Sequence, residues 1–242
     1  MISTEMMALN ARADAGRAWP DIHFYDRAAR ALTRLLDIDA RVRFSPVDER
    51  RYLQANHWLD QRCLAFFNQF PKGLGIECGA GLSTRFHRLS EQHEWPQFSW
   101  VDMDTEERML LKSGAMPVID NYQLLVNNHA GDKVVNEIRW DKTTPLMIVA
   151  DGFSYPLDKA WLGGLVQSLL SARSANTPIC AYVVLEATFH WYEWLLRAIG
   201  LPAFGYWHTT LTALGGEVDH INYFGKSTHS KQGVIMGMAL HF

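Results

Sequence analysis

Cysteine is scarce in this chain, three residues in 242. Cys63, Cys78 and Cys180 form no C-x-x-C and no paired framework, which argues against a disulfide scaffold and a thiolate metal site. Two of them sit inside apolar runs, as reduced core thiols of a cytoplasmic protein do. Positive charge is not in excess either. There are 23 Lys and Arg against 26 Asp and Glu, a net charge of −3, so a nucleic-acid partner has no electrostatic support. No apolar run approaches the roughly 20 residues of a membrane helix, and the start, Met1 to Met7, lacks the basic and apolar regions of a signal peptide. The ten His include no H-x-x-x-H, so no metal is expected. A G-x-S-x-G elbow, internal repeats and low-complexity linkers are absent as well.

Apolar residues make up 48% of the chain, enough for a sizeable core. Residues 1–70 read as an N-terminal helical cap. Ala8 to Leu36 is rich in Ala, Arg and Leu, with Pro20 breaking it near the middle. A second helical run starts at Asp48. Leu59, Cys63, Phe66 and Phe67 then recur on one helical face, closed by Pro71 and Gly73.

From residue 74 the pattern becomes strand–helix alternation, and residues 71–242 read as one domain. Strands are expected near 74–78, 98–102, 122–127, 146–150 and 179–185, each apolar on both faces as buried parallel strands are. Helices are expected near 82–91, 105–113, 132–139, 158–173 and 189–199. The fold class is therefore α/β, a Rossmann-like doubly wound sheet. Further strands at Phe204–Thr210, His220–Phe224 and Val234–Leu240 end it in an antiparallel hairpin.

Three strand ends carry candidate binding residues. The first strand stops at Glu77-Cys78-Gly79-Ala80-Gly81, and a helix follows. Glycines there let a backbone approach a ligand, and the helix start offers free N–H groups. Glu77 can orient the turn or the amine end of a ligand. The second strand ends in Asp102 and Asp104, two apart on one side, and one of them should reach a ribose. Asp104 also opens an Asp-Thr-Glu-Glu sequence suited to capping the next helix. The fourth strand ends in Asp151-Gly152, an acid at the mouth of the sheet and a glycine for a sharp turn. Thr84 occupies the third glycine position of G-x-G-x-x-G, which disfavours a dinucleotide.

The run Glu77-Cys78-Gly79-Ala80-Gly81-Leu82-Ser83-Thr84-Arg85-Phe86-His87-Arg88-Leu89 resembles the glycine motif of the leucine carboxyl methyltransferase family. That family includes the tetracenomycin-type polyketide O-methyltransferases, and its usual form is L-G-A-G-L-D-T-R followed by R-L. Trp100 to Asp104, with Lys112 after it, is similar to the family's E-V-D-L-P segment and following Lys. Ala150 to Leu157, including Tyr155, is similar to its A-E-G-x-x-x-Y-L segment. The ordered matches span about residues 59 to 157.

The resemblance implies a class I S-adenosylmethionine-dependent methyltransferase. In it the glycine turn, here Gly79 to Gly81 with Thr84 and Arg85, holds the methionine part of the cofactor. The acid matching Asp104 holds the ribose, and Asp151 lies near the methionine amine. Four departures stand out. Ser83 replaces an Asp, and Asp151 replaces the commoner Glu. Asn56-His57-Trp58 stands where the family often has the Arg that meets the cofactor carboxylate, leaving Arg51 or Arg62 as substitutes. After the third strand Val126-Asn127-Asn128-His129 replaces an acid that meets adenine, and the Asn128 amide can serve there.

The expected function is O-methylation of a small-molecule hydroxyl or carboxylate, polyketide-like compounds included, by a monomer or homodimer. Tyr155 and His190, the latter in an aromatic segment that equally fits a core helix, are candidates for substrate contact. Two other readings stay open: an NAD(P)-binding oxidoreductase, and a non-catalytic binding protein on a methyltransferase fold.

Overall fold

The computed structural model describes residues 2–93, 96–117, 119–127, 134–152, 159–188, 211–226 and 233–242. Helix α1, Ile2–Ala18, stops before Pro20, whose ring cannot continue it. A 3-10 turn over Pro20–Ile22 ends at His23 in the left-handed region, φ 55°. Helix α2, Arg27–Leu35, is capped by Asp26, whose carboxylate accepts the Ala29 N–H at 2.8 Å. Helix α3, Pro46–Gln69, starts with Pro at its first turn and Ser45 accepting the Asp48 N–H. The helical run expected from Asp48 is this helix, 24 residues long.

Strands and helices then alternate: β1 Leu74–Cys78, α4 Arg85–Ser90, β2 Ser99–Asp104, α5 Glu106–Ala115, β3 Tyr122–Val126, β4 Leu146–Asp151, α6 Lys159–Ala172 and β5 Ile179–Thr188. Strands β6 Glu217–Lys226 and β7 Gly233–His241 close the chain. Together they form a seven-stranded sheet of order β3-β2-β1-β4-β5-β7-β6. The first five strands are parallel, and β7 pairs antiparallel with both β5 and β6. The doubly wound sheet and terminal hairpin expected from the sequence are both present. Of the helix expected near 132–139, residues 135–137 form a turn. The expected helix near 189–199 and strand Phe204–Thr210 lie outside the described residues, as do Asn128, Tyr155 and His190.

Strand alternation divides the sheet into two faces. One carries Ile76, Cys78, Val101, Ile148, Ala150 and Val183, packed on Leu162, Leu165, Val166 and Leu169 of α6. The other carries Trp100, Met147, Val149, Tyr182 and Val184, packed on Leu59, Cys63, Phe66 and Phe67 of α3 and on Phe86 and Leu89 of α4. Helix α3 is therefore bedded on the sheet as a layer. Its fit depends on small residues opposite aromatics. A Cβ at Gly75 would overlap the Trp100 ring, and one at Gly237 would lie 2.7 Å from Trp58. Glu77, Asp102, Asp104 and Asp151 all sit on the α3 side by this alternation, near the carboxyl ends of β1, β2 and β4. That places four acids under the N-terminal helices. No helix among the described residues is long and apolar enough to cross a membrane.

Candidate cofactor site

The turn after β1 is held open by two left-handed glycines, Gly79 at φ 66° and Gly81 at φ 45°. The Ala80 N–H donates to the Met103 carbonyl at 3.0 Å, tying the turn to β2. The Gly81 N–H donates to Asp104 Oδ2 at 2.7 Å. Asp104 Oδ1 accepts the Thr105 N–H and Arg108 Nη1, each at 2.7 Å. Thr105, not Asp104, is the N-cap residue of α5. Arg108 also pairs with Glu5 of α1, and Glu5 lies over Gly81: a Cβ there would be 3.2 Å from its carboxyl carbon. Burial pushes the Glu5 carboxyl up, against the pull of Arg108. A cavity of about 20 Å³ lies between α1 and the turn, lined by Glu5, Arg12 and Gly79 to Ser83.

Beneath this rim is a buried polar layer. Glu77 accepts the Ser83 hydroxyl at 2.9 Å and Arg85 Nε at 3.1 Å. Burial pushes its carboxyl up, with Arg85 opposing. Arg85 also donates to Asp60 at 2.5 Å and to Asn56 Oδ1 at 3.0 Å. Asn56 in turn donates to Asp151 Oδ2 at 3.1 Å, so α3 links the ends of β1 and β4. Arg88 donates to Asp60 at 2.8 Å and to Asp26 at 2.6 Å. Thr84, at the third glycine position, donates its hydroxyl to the same Asp26 oxygen at 2.5 Å. Arg12 of α1 completes the layer. It donates to the Leu82 carbonyl at 2.7 Å and to the Tyr52 hydroxyl, and lies 3.4 Å from Asp26. Burial pushes the Tyr52 hydroxyl up to about 12. Three arginines thus face Asp26, Asp60 and Glu77 out of contact with water, the arrangement in which buried charge is tolerated.

The structure therefore brings Glu77, Gly79, Ala80, Gly81, Asp104, Asp151 and Gly152 to one end of the sheet. Asp102 is turned elsewhere: it accepts Trp100 Nε1 at 2.8 Å, the Lys112 ammonium and the Tyr122 hydroxyl. Arg85 is directed into the buried layer, only 1% exposed. Neither proposed substitute arginine reaches the turn. Arg51 lies 3.7 Å from Asp48, and Arg62 lies over the Trp58 ring. The arginine beside the turn is Arg12, whose buried Nε lies 3.4 Å from Asp26 Oδ2. Sequence reasoning missed Arg12, Glu5, Asp26, Asp60 and Arg108. One signal was available: Asp60 interrupts the apolar face of α3, and Arg85 and Arg88 lie three apart on the same short helix. The partners come from distant segments, Glu5 and Arg108 among them, which no local pattern reports.

The donor set fits an adenosyl cofactor. Asp104 Oδ2 accepts one hydrogen bond among the described residues, leaving a lone pair for a ribose hydroxyl. Arg12 brings a positive charge to the small cavity over the glycine turn.

No protein-family model and no curated protein matches this chain. Solved structures do. One, from Galdieria sulphuraria and described as a sarcosine dimethylglycine methyltransferase, superposes with a TM-score of 0.51 at 12% identity, covering 82% of this chain and 90% of that one. Another, from Thermobifida fusca YX and described as a methyltransferase, has a TM-score of 0.51 at 12% identity, covering 95% and 93%. At that identity the likeness is one of fold. The chain has a Rossmann-like methyltransferase fold, and β7 inserted between β5 and β6 departs from the 3-2-1-4-5-6 order of dinucleotide-binding sheets.

Proposed function

We propose that this chain is an S-adenosylmethionine-dependent O-methyltransferase of a small molecule, related to the leucine carboxyl methyltransferase family. The single observation that carries the reading is Asp104. It ends β2, is fixed by the Gly81 N–H across a turn with two left-handed glycines, and keeps one acceptor site on Oδ2. Asp104 would hold the ribose, the turn and Arg12 the methionine carboxylate, and Asp151, oriented by Asn56, the amine. Asp102 and Arg85 would act at one remove, by fixing β2 and the turn. Residues 1–70 would cap the site, with α1 pressing on the turn and α3 forming its floor.

When bound, the cofactor supplies an electrophilic methyl group on a sulfonium, already an excellent leaving group. The protein's task is then chiefly alignment. A carboxylate acceptor needs no base, whereas a hydroxyl gains from a neutral imidazole nearby. Three free, buried thiols suit a reducing, cytoplasmic setting.

Calorimetric titration with S-adenosylmethionine and S-adenosylhomocysteine tests the reading. Micromolar binding that is lost in Asp104→Ala is the expected result. Absence of binding to either compound refutes it. A second reading, a non-catalytic protein on this fold, is favoured by the Glu5–Arg108–Asp104 chain, which engages the ribose acid from within the protein. Under it, neither compound binds and removing Glu5 changes nothing.

A further inference from the structure

A second cavity, of about 720 Å³, lies between the 3-10 turn, the N-terminal part of α3 and the end of β6. Its size falls in the range of about 300–1,000 Å³ that holds drug-sized ligands. The charges on its wall do not cancel. Asp21 is paired with Arg50 at 2.5 Å. Arg62 has no carboxylate partner among the described residues, and its guanidinium lies 5.5 Å from the centroid of the Trp58 ring.

Trp58 is fixed from the other side. Its benzo edge abuts Gly237 of β7, and Phe224 meets it edge-on at 6.1 Å. Its pyrrole edge is thereby directed away from the sheet. The indole N–H on that edge is buried, has no acceptor among the described residues and does not open on the cavity. Burial lowers the pKa of His57, also on the wall, and so favours its neutral imidazole. The wall therefore offers one uncompensated cation and the aromatic side chains of Tyr223 and Phe224, with no uncompensated anion among the described residues.

We propose that this cavity binds an aromatic carboxylate, whose anionic group pairs with Arg62 and whose ring packs against Tyr223 and Phe224. In a methyltransferase this ligand is the methyl acceptor, a clause that rests on the proposed function. The carboxylate is then the handle, and the methyl-accepting hydroxyl is at the far end of the molecule.

The test is calorimetric titration of the full chain with 6-hydroxy-2-naphthoate, with its uncharged carboxamide, and separately with S-adenosylhomocysteine. The acid should bind at least tenfold more tightly than the amide. Arg62→Gln should abolish that preference, and Arg62→Lys should restore part of it. Equal affinity for acid and amide, no acid binding at millimolar concentration, or an acid preference that survives Arg62→Gln would overturn the proposal. The wild-type comparison of acid with amide decides even if a variant fails to fold. Acid preference without S-adenosylhomocysteine binding supports the cavity assignment and sinks methyl transfer. The reverse pattern sinks the cavity assignment alone.

Discussion

Asp60→Asn removes one carboxylate that two arginines share. Asp60 accepts Arg85 at 2.5 Å and Arg88 at 2.8 Å and is 8% exposed, so solvent screens little of the interaction. The amide keeps the shape and loses the charge. Arg85 retains Glu77, and Arg88 shares Asp26 with Arg12, so three buried arginines are left facing two carboxylates. Removing one partner of a buried pair typically costs about 3–5 kcal/mol. At this chain length a shift of about 2–4 °C per kcal/mol is usual, so Tm should fall by roughly 6–20 °C. Burial alone would push Asp60 up, but Arg88 and Arg85 outweigh it and hold its carboxyl below the usual range. A depressed folded-state pKa contributes stability above the unfolded value of about 3.9, lost as pH falls through the folded value. The gap between wild type and variant, measured by urea unfolding, should therefore be full at pH 7 and shrink below about pH 4. A cost under about 1 kcal/mol at pH 7, the range of exposed pairs, would refute the account of the layer as mutually dependent charges. So would a gap that stays constant down to pH 3.

Other perturbations probe separate parts of the structure. Gly75→Ala should destabilise by about 1–3 kcal/mol, read from the urea midpoint, because its methyl overlaps Trp100 and meets Met147 Cε at 3.1 Å. Tyr122→Phe should cost about 1.5–3 kcal/mol in the same assay, since the hydroxyl donates to the buried Asp102 carboxylate. All three cysteines are buried, and burial pushes the Cys63 and Cys78 thiols up and Cys180 to about 11. A thiol reagent at pH 8 should therefore label none until denaturant is added. Deleting residues 1–45 removes Glu5, Arg12 and Asp26 from the turn. It should weaken S-adenosylhomocysteine binding more than tenfold in calorimetry, and unchanged affinity would remove the capping role of α1.

Period and punctuation carried the layered fold into the sequence. Two-sided apolar runs such as Leu146 to Ala150 could only be buried parallel strands, and Gly79 and Gly81 after Cys78 marked a turn that needs left-handed backbone. These are local properties, fixed by sterics and by the alternation of side chains, so a single chain exposes them. The fate of each charge was not local. Asp102 and Asp104 are two apart with the same chemistry. Only the packing of Lys112 and Tyr122 around one, and the Gly81 N–H beside the other, separates a core acid from a rim acid. Arg12 reads in sequence as one more polar residue of a surface helix. Tertiary structure carries it to Leu82, 70 positions on, because α1 lies across the glycine turn. The cavity at Arg62 likewise exists only because β6 returns beside α3. Local sterics determine which elements form; the electrostatic role of a side chain depends on which distant groups exclude water around it.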